Sequence, residues 1–423
     1  MSQPTNNDWP LINRFAFRLF SVYILFYILF ISDFLWKAGE ILPFLKEINR
    51  PFKFIGTAFG RWTYQILSHK SIPPRVPIHF MDTSWNIVAA TSFFLIAILI
   101  AIVWTLFEKR KNHSYLIKFT HSVARYYLAF ILFVYGFIKF FDGQFSVPPS
   151  PTSYMGNFTE MDPHSVLWFF MSSSKAYPLF AGLMEIVPGI LLLFRRTSAI
   201  GAFLAIAALT NILLLDISFD VPLKFFLFNL IIIGIYIIAP YLKSLFSFFL
   251  KAKAASLFII APIVDNKKYK WVQYILKSGL VIFFILFNIF PALERRKEKE
   301  NASPVVGLHE IKEWTTKTQT PDSGKRNLSW KRIAIDPLYW VGIQFADGSV
   351  ANFNKRIVSA TNVQFSNWDS TFTCNLHYSD LKEERWLFEG TMNKDSIRFI
   401  SSKIDLSQSI HQKGIGKIKW IYN

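Results

Sequence analysis

The residue with the most chemistry to offer is Glu185, an acid in the middle of the apolar run Ala181-Gly-Leu-Met-Glu-Ile-Val-Pro-Gly189. An ionisable group in hydrocarbon costs several kcal/mol unless it is paired or hydrated, so such a residue is a site hypothesis by default. It stands about eight residues from either end of its segment, roughly 12 Å deep at about 1.5 Å per residue. Flanking Gly182, Pro188 and Gly189 permit close helix packing and a kink, and either feature opens backbone carbonyls to a ligand. The competing reading is structural: a protonated or paired acid that holds two helices together. Further polar residues gather near the same level. Lys139 ends Gly136-Phe-Ile-Lys139, and Asn211, Asp216, Asp220 and Lys224 lie in the stretch Asn211–Lys224. The long side chain of Lys139 reaches toward Glu185, or snorkels to water. Asp216, Asp220 and Lys224 read as an outer turn in which Asp220 caps the helix opened by Pro222. Joint clustering with a deep carboxylate makes Glu185, Lys139, Asn211, Asp216, Asp220 and Lys224 the ligand-binding candidates, with catalytic roles left open.

These residues are carried by seven apolar segments, Phe15–Trp36, Ile87–Phe107, Tyr126–Phe141, Tyr177–Phe194, Ala199–Leu215, Phe225–Pro240 and Val272–Phe290. A helix needs about 20 apolar residues to cross a bilayer, so the chain reads as a polytopic α-helical membrane bundle that stops at Pro291. With 52% hydrophobic residues and 45 Phe, the composition suits a lipid-embedded bundle with aromatic belts. The formal net charge of +18 comes mostly from loops beside apolar helices, which points to anionic lipid headgroups rather than nucleic acid. A single cysteine, Cys374, excludes an intrachain disulfide, a CxxC pair and a cysteine-based metal site. The first segment is too long for a signal core and reads as a retained helix.

Lys109, Arg110, Lys111 and Lys118 crowd one loop, Arg195 and Arg196 another, and Lys243, Lys251, Lys253, Lys267, Lys268 and Lys270 a third. Cytoplasmic loops keep such an excess, so these lie inside with the amino terminus, and seven crossings place the tail outside. The loop from Lys37 to Asp82 is assigned outside although it is basic; its length weakens the rule there. Met161–Met171, with Asp162 as N-cap, reads as a short interfacial helix, and Leu242–Pro262 as an amphipathic segment on the inner surface. The run Glu294–Glu300 is a helix end or a solvated linker.

From about Leu328 the period changes to two. Ser329–Ile335, Tyr339–Phe345, Val350–Phe353, Thr371–Tyr378, Arg385–Glu389 and Ser396–Ser401 read as strands, with turns at Asp347-Gly348, Trp368-Asp-Ser370, Glu389-Gly390 and Asn393-Lys-Asp395. Asp-Gly is the strongest of these hairpin signals. The tail is therefore a soluble all-β domain, a small sandwich or barrel, a type more often used for binding than for catalysis. The segmentation is 1–118, a two-helix membrane region; 119–241, a four-helix core; 242–293, an interfacial segment and last helix; and 294–423, linker and β-rich domain.

The residues Arg125-Tyr-Tyr-Leu-Ala-Phe with Tyr135-Gly-Phe-Ile-Lys139, the run Ala181–Arg196 and the stretch Asn211–Lys224 resemble the DoxX-like family of bacterial membrane proteins, over roughly 120–241. The additional amino-terminal helices and β-rich tail look like its longer Bacteroidetes-type architecture. That resemblance implies the bacterial inner membrane and a periplasmic tail. The longer form implies an aromatic, Arg-Gly-rich ending, from which Gly414-Ile-Gly-Lys-Ile-Lys-Trp420 departs. Three functions follow: binding of a lipid or small hydrophobic molecule in an outer-facing intramembrane cavity, a subunit of a membrane redox complex acting on a quinone or thiol, or an anchor for the outer domain. Membrane lipids and a redox or periplasmic protein are the implied partners, and a quinone the implied cofactor of the redox reading. The residues lend the redox reading little, since His69, His79, His113, His121 and His164 fall in loops or at helix ends.

Overall fold

The computed structural model describes residues 9–408 except 33, 36–38, 40–42, 71–80, 109–112, 157–158, 160, 253–258, 261–269, 318–329, 360, 368–369 and 394. The helices are α1 (Leu11–Phe26, continued by a π-helical turn Tyr27–Ile31), α2 (Pro43–Ser68), α3 (Ser84–Phe107) and α4 (Ser114–Phe140). They are followed by α5 (Pro163–Ser172), α6 (Ala176–Leu193), α7 (Ser198–Ser218), α8 (Lys224–Ile238), α9 (Leu242–Lys251) and α10 (Lys270–Glu300). Seven spans among the described residues are long and apolar enough to cross a bilayer: α1 with its π turn, α3, α4, α6, α7, α8 continued through α9, and α10. The protein is a multi-pass membrane protein with a carboxyl-terminal β-barrel.

Several boundaries differ from the hydropathy reading, for identifiable reasons. The first span is Leu11–Ile31 rather than Phe15–Trp36, because the chain turns extended at Ser32. The short third segment is a 27-residue helix from Ser114, so His121 sits within a helix and not at its end. The last helix passes through Pro291 to Glu300, which settles Glu294–Glu300 as a helix end. The loop assigned to Lys37–Asp82 contains α2, whose polar residues had hidden its amphipathic period. One face of α2 buries Asn49, Gly56, Gly60 and Thr63, and a Cβ at Gly56 would lie 2.6 Å from Phe30 O. The opposite face exposes Phe54, Ile55, Trp62 and Ile66, a continuous apolar strip of the kind that lipid accepts and water does not. As expected, Asp162 caps α5, accepting from Ser165 N at 2.9 Å and Ser165 Oγ at 2.7 Å. Gly414–Trp420 lies outside the described residues.

The chain forms two compact units, Met1–Phe137 with Gly182–Phe287, and Ile138–Ala181 with Asn288–Asn423. In the first, small residues let helices approach closely. Ala97 and Ala101 of α3 pack on Leu19 and Tyr23 of α1, and Phe30 stacks on Phe93 at 5.1 Å.

The second unit holds an antiparallel barrel of β1 (Gly307–Lys317), β2 (Trp330–Ile335), β3 (Trp340–Phe345), β4 (Val350–Val358), β5 (Asn362–Ser366), β6 (Thr373–Asp380), β7 (Arg385–Met392) and β8 (Asp395–Ile404). Successive strands pair and β1 pairs β8, which closes the barrel and removes its edges. Ile333, Ile335, Val341, Ile343, Phe353, Phe365, Phe388 and Phe399 form its packed core. Asp347-Gly348 turns β3 into β4 with Gly348 at φ +88°, and Asn393 at φ +55° turns β7 into β8. Glu389-Gly390 is not a turn: both residues lie inside β7, where a Cβ on Gly390 would come within 2.0 Å of Asn375 O. Strands β1 and β5 were not expected.

Candidate functional site

In the first unit, Glu185 lies buried halfway along α6, about as deep as its sequence position requires. Gly136 of α4 is pressed against it: a Cβ there would meet Ile186 Cγ1 at 2.8 Å, Gly182 O at 2.9 Å and Glu185 Cβ at 3.2 Å. One turn on, a Cβ on Gly189 would stand 3.0 Å from the ring of Phe133. The glycines thus do what their spacing suggests: they bring the backbones of α4 and α6 together at the level of Glu185.

The other sequence candidates lie on α4, on α7 and in the turn that leads into α8. Asp216 is buried in the last turn of α7 rather than in a solvated turn, and its carbonyl accepts from Val221 N at 2.9 Å. Asn211 lies exposed earlier on that helix. Asp220, at φ +49°, is exposed and ion-paired with Lys224 at 2.7 Å. It does not cap α8. That role belongs to Asp82, whose carboxylate accepts from Lys224 N at 2.8 Å and Phe225 N at 2.9 Å. Asp82 N in turn donates to Pro222 O at 3.1 Å, so the lead-in to α3 and the α7–α8 turn clasp each other. Lys139 is buried in the last turn of α4, within the second unit.

Sequence reasoning missed a set of buried polar side chains in the first unit. Arg18 of α1, fully buried, donates to His113 Nε2 at 2.9 Å and Trp104 O at 3.2 Å. Tyr236 of α8 bridges Ser21 of α1 at 3.2 Å and Thr120 of α4 at 2.5 Å. Tyr23 donates to Asn229 Oδ1 at 2.5 Å, and Ser32 and Tyr127 meet at 2.9 Å. Arg125 donates to Leu192 O, and His121 Nε2 lies 3.1 Å from Ile237 O. The available signal was the position of Arg18, His121 and Arg125 inside or beside apolar runs, where a cation needs a designated acceptor.

In the second unit the segment 148–156 lies on the barrel wall. Met155 covers Leu308 and Ala334, its carbonyl accepts from Gln344 Nε2 at 2.8 Å, and a Cβ on Gly342 would stand 2.6 Å from its sulfur. Asp336, at the β2–β3 turn, accepts from Thr152 N at 3.4 Å and Thr152 Oγ1 at 3.2 Å. Burial raises its pKa from 3.8 to about 6 despite these bonds and the nearby Lys355. Lys355 Nζ donates to Asp336 O and Pro337 O at 3.0 and 2.6 Å, and burial lowers its pKa. His309 points into the barrel with Nε2 2.8 Å from Val305 O, and burial lowers its pKa to about 4. Beside Lys355, Glu294, Lys297, Glu298, Asn301 and Ser303 line an open cavity of about 540 Å³. Among the described residues, no group of three or more His, Cys, Asp or Glu side chains is placed to hold a metal ion.

No family model matches the chain, and no solved structure does. Over 104 residues, 24% of the chain, it is 36% identical to YwoB of Bacillus subtilis (strain 168), a protein described as uncharacterized. The chain spans 64% of the length of that relative.

Proposed function

We propose that the protein is a DoxX-like protein of the bacterial inner membrane that binds a lipid or small hydrophobic molecule in an outer-facing cavity beside Glu185, its barrel lying in the periplasm. The observation that carries this reading is the burial of Glu185 in mid-helix, with Gly136 holding α4 against it. Glycine brings the two helix backbones close at the level of Glu185, and an acid at that depth can orient the polar end of an otherwise apolar guest. The loop charges support the orientation, with the amino terminus in the cytoplasm.

Glu185→Gln tests it. Glutamine keeps shape and most hydrogen bonding, so the fold survives and the co-purifying lipid, read by extraction and mass spectrometry, is lost relative to wild type at equal membrane abundance. Asp216→Asn and Asp220→Asn are the controls and retain it. If Glu185→Gln co-purifies the same lipid as wild type, the acid is helix glue, a role whose interhelical contact contributes on the order of 0.6 kcal/mol, and the site reading falls.

A further inference from the structure

We propose a second, separate site in the first unit, at the end of α6, which binds an anionic phosphate group through Arg125, His121 and Arg195. It lies about two turns along α6 from Glu185 and does not rest on the reading of that residue.

Two elements supply the groups, α4 and the turn after α6. His121 and Arg125 are one turn apart on α4, and both are buried. Arg125 spends Nε and Nη2 on a single carbonyl, Leu192 O, at 3.0 and 2.8 Å. His121 Nε2 approaches Ile237 O at 3.1 Å, which puts the proton on Nε2 and leaves the buried Nδ1 without a partner among the described residues. Arg195 follows Leu192 by three residues, half-buried in the turn between α6 and α7, with Nη1 3.3 Å from Ile260 O. The ring of Tyr241 stands 6.2 Å from His121.

Among the described residues the charges at this end of α6 do not balance. A guanidinium carries five N–H donors, and Arg125 directs its two protein bonds to one neutral oxygen. No carboxylate among the described residues pairs with Arg125 or Arg195. Leu192 O and Ile237 O sit near the ends of α6 and α8, where each helix dipole offers roughly half a negative charge. That offsets Arg125, whereas Arg195, bonded to Ile260 O, has no acidic partner among the described residues. Two guanidinium groups carry donors enough for an anion with several oxygens, and arginine forks favour phosphate. With its proton on Nε2, His121 Nδ1 accepts from a protonated phosphate oxygen. The phosphate belongs to a lipid headgroup or to a soluble phosphate ester; the geometry is the same for both.

Thermal unfolding of the full-length protein in neutral detergent, read with phosphatidylglycerol, phosphatidylcholine, inorganic phosphate or chloride at matched ionic strength, tests this. Phosphatidylglycerol is expected to raise the wild-type midpoint by several degrees beyond phosphatidylcholine, and Arg125→Gln and Arg195→Gln to abolish that difference. A rise with inorganic phosphate beyond chloride, lost in the same variants, supports the site and assigns it a soluble source. Glu185→Gln keeps the response, which separates this site from the cavity proposed above. If Arg125→Gln does not fold, Arg195→Gln carries the test from its half-buried turn. No difference among the four additives in wild type overturns the proposal, and so does an anion-specific shift that persists in Arg195→Gln.

Discussion

Asp336 and His309 set opposing pH dependences on one barrel, and replacing either should expose the other. Asp336 holds its proton more tightly folded than unfolded, with a pKa of about 6 against 3.8. Between those values the folded state binds more protons, so its contribution to stability is greatest in acid and is lost as pH rises through about 6. The shift of about two units corresponds to about 3 kcal/mol. His309 runs the other way: its pKa falls from 6.5 to about 4, so the unfolded state binds more protons in that window. Stability from this residue rises with pH by about 3 kcal/mol over the same range. The two nearly cancel, and the wild-type barrel should vary little between pH 4 and 6.5. Asp336→Asn keeps the shape and an acceptor for Thr152 N but removes the titration, leaving a barrel that gains about 3 kcal/mol from pH 4 to 6.5. Cys374 provides the assay. It is the chain's single cysteine and is buried in the barrel core, so its labelling by a pyridyl disulfide along a urea gradient reports barrel opening in the full-length protein. The urea midpoint of Asp336→Asn should climb with pH while that of wild type stays level. Parallel pH profiles for the two proteins would refute the assignment of a buried, proton-retaining Asp336.

Two further outcomes are accessible. Gly342→Ala places a methyl 2.6 Å from the sulfur of Met155 and 3.1 Å from Thr152 Cγ2, and should lift segment 148–156 from the barrel at a cost of about 1–3 kcal/mol. Faster hydrogen exchange at 148–156 with the strands unchanged is the expected signature, and unchanged exchange there would show that the contact is not needed. Carboxyl-terminal fusions should give alkaline phosphatase activity and no cytoplasmic fluorescence if the barrel lies outside, as the loop charges imply; a bright fluorescent fusion reverses the orientation.

Much of this architecture is one-dimensional information. Seven apolar spans, the change to a period of two in the tail, Asp162 as a cap and the turns at Gly348 and Asn393 follow from local composition, because each depends on residues within one or two turns of chain. The elements that escaped did so for local reasons as well. Strand β1 carries a register shift between Ile311 and Glu313 that breaks its alternation, and β5 is only five residues long. Gly390 resembles a turn residue but serves a close strand approach, and the charges of α2 mask an apolar face. The candidate site was legible as Glu185, since an acid in an apolar run is conspicuous by itself. What only the tertiary structure decided is which distant groups meet: Asp82 capping α8 across 142 residues, Thr152 bound to Asp336 across 184, β1 closing on β8, and Arg125 seated on Leu192 O. Hydrogen-bond acceptors on a backbone carry no residue identity, so the partners of buried cations cannot be read from a string of side chains. Packing chooses them.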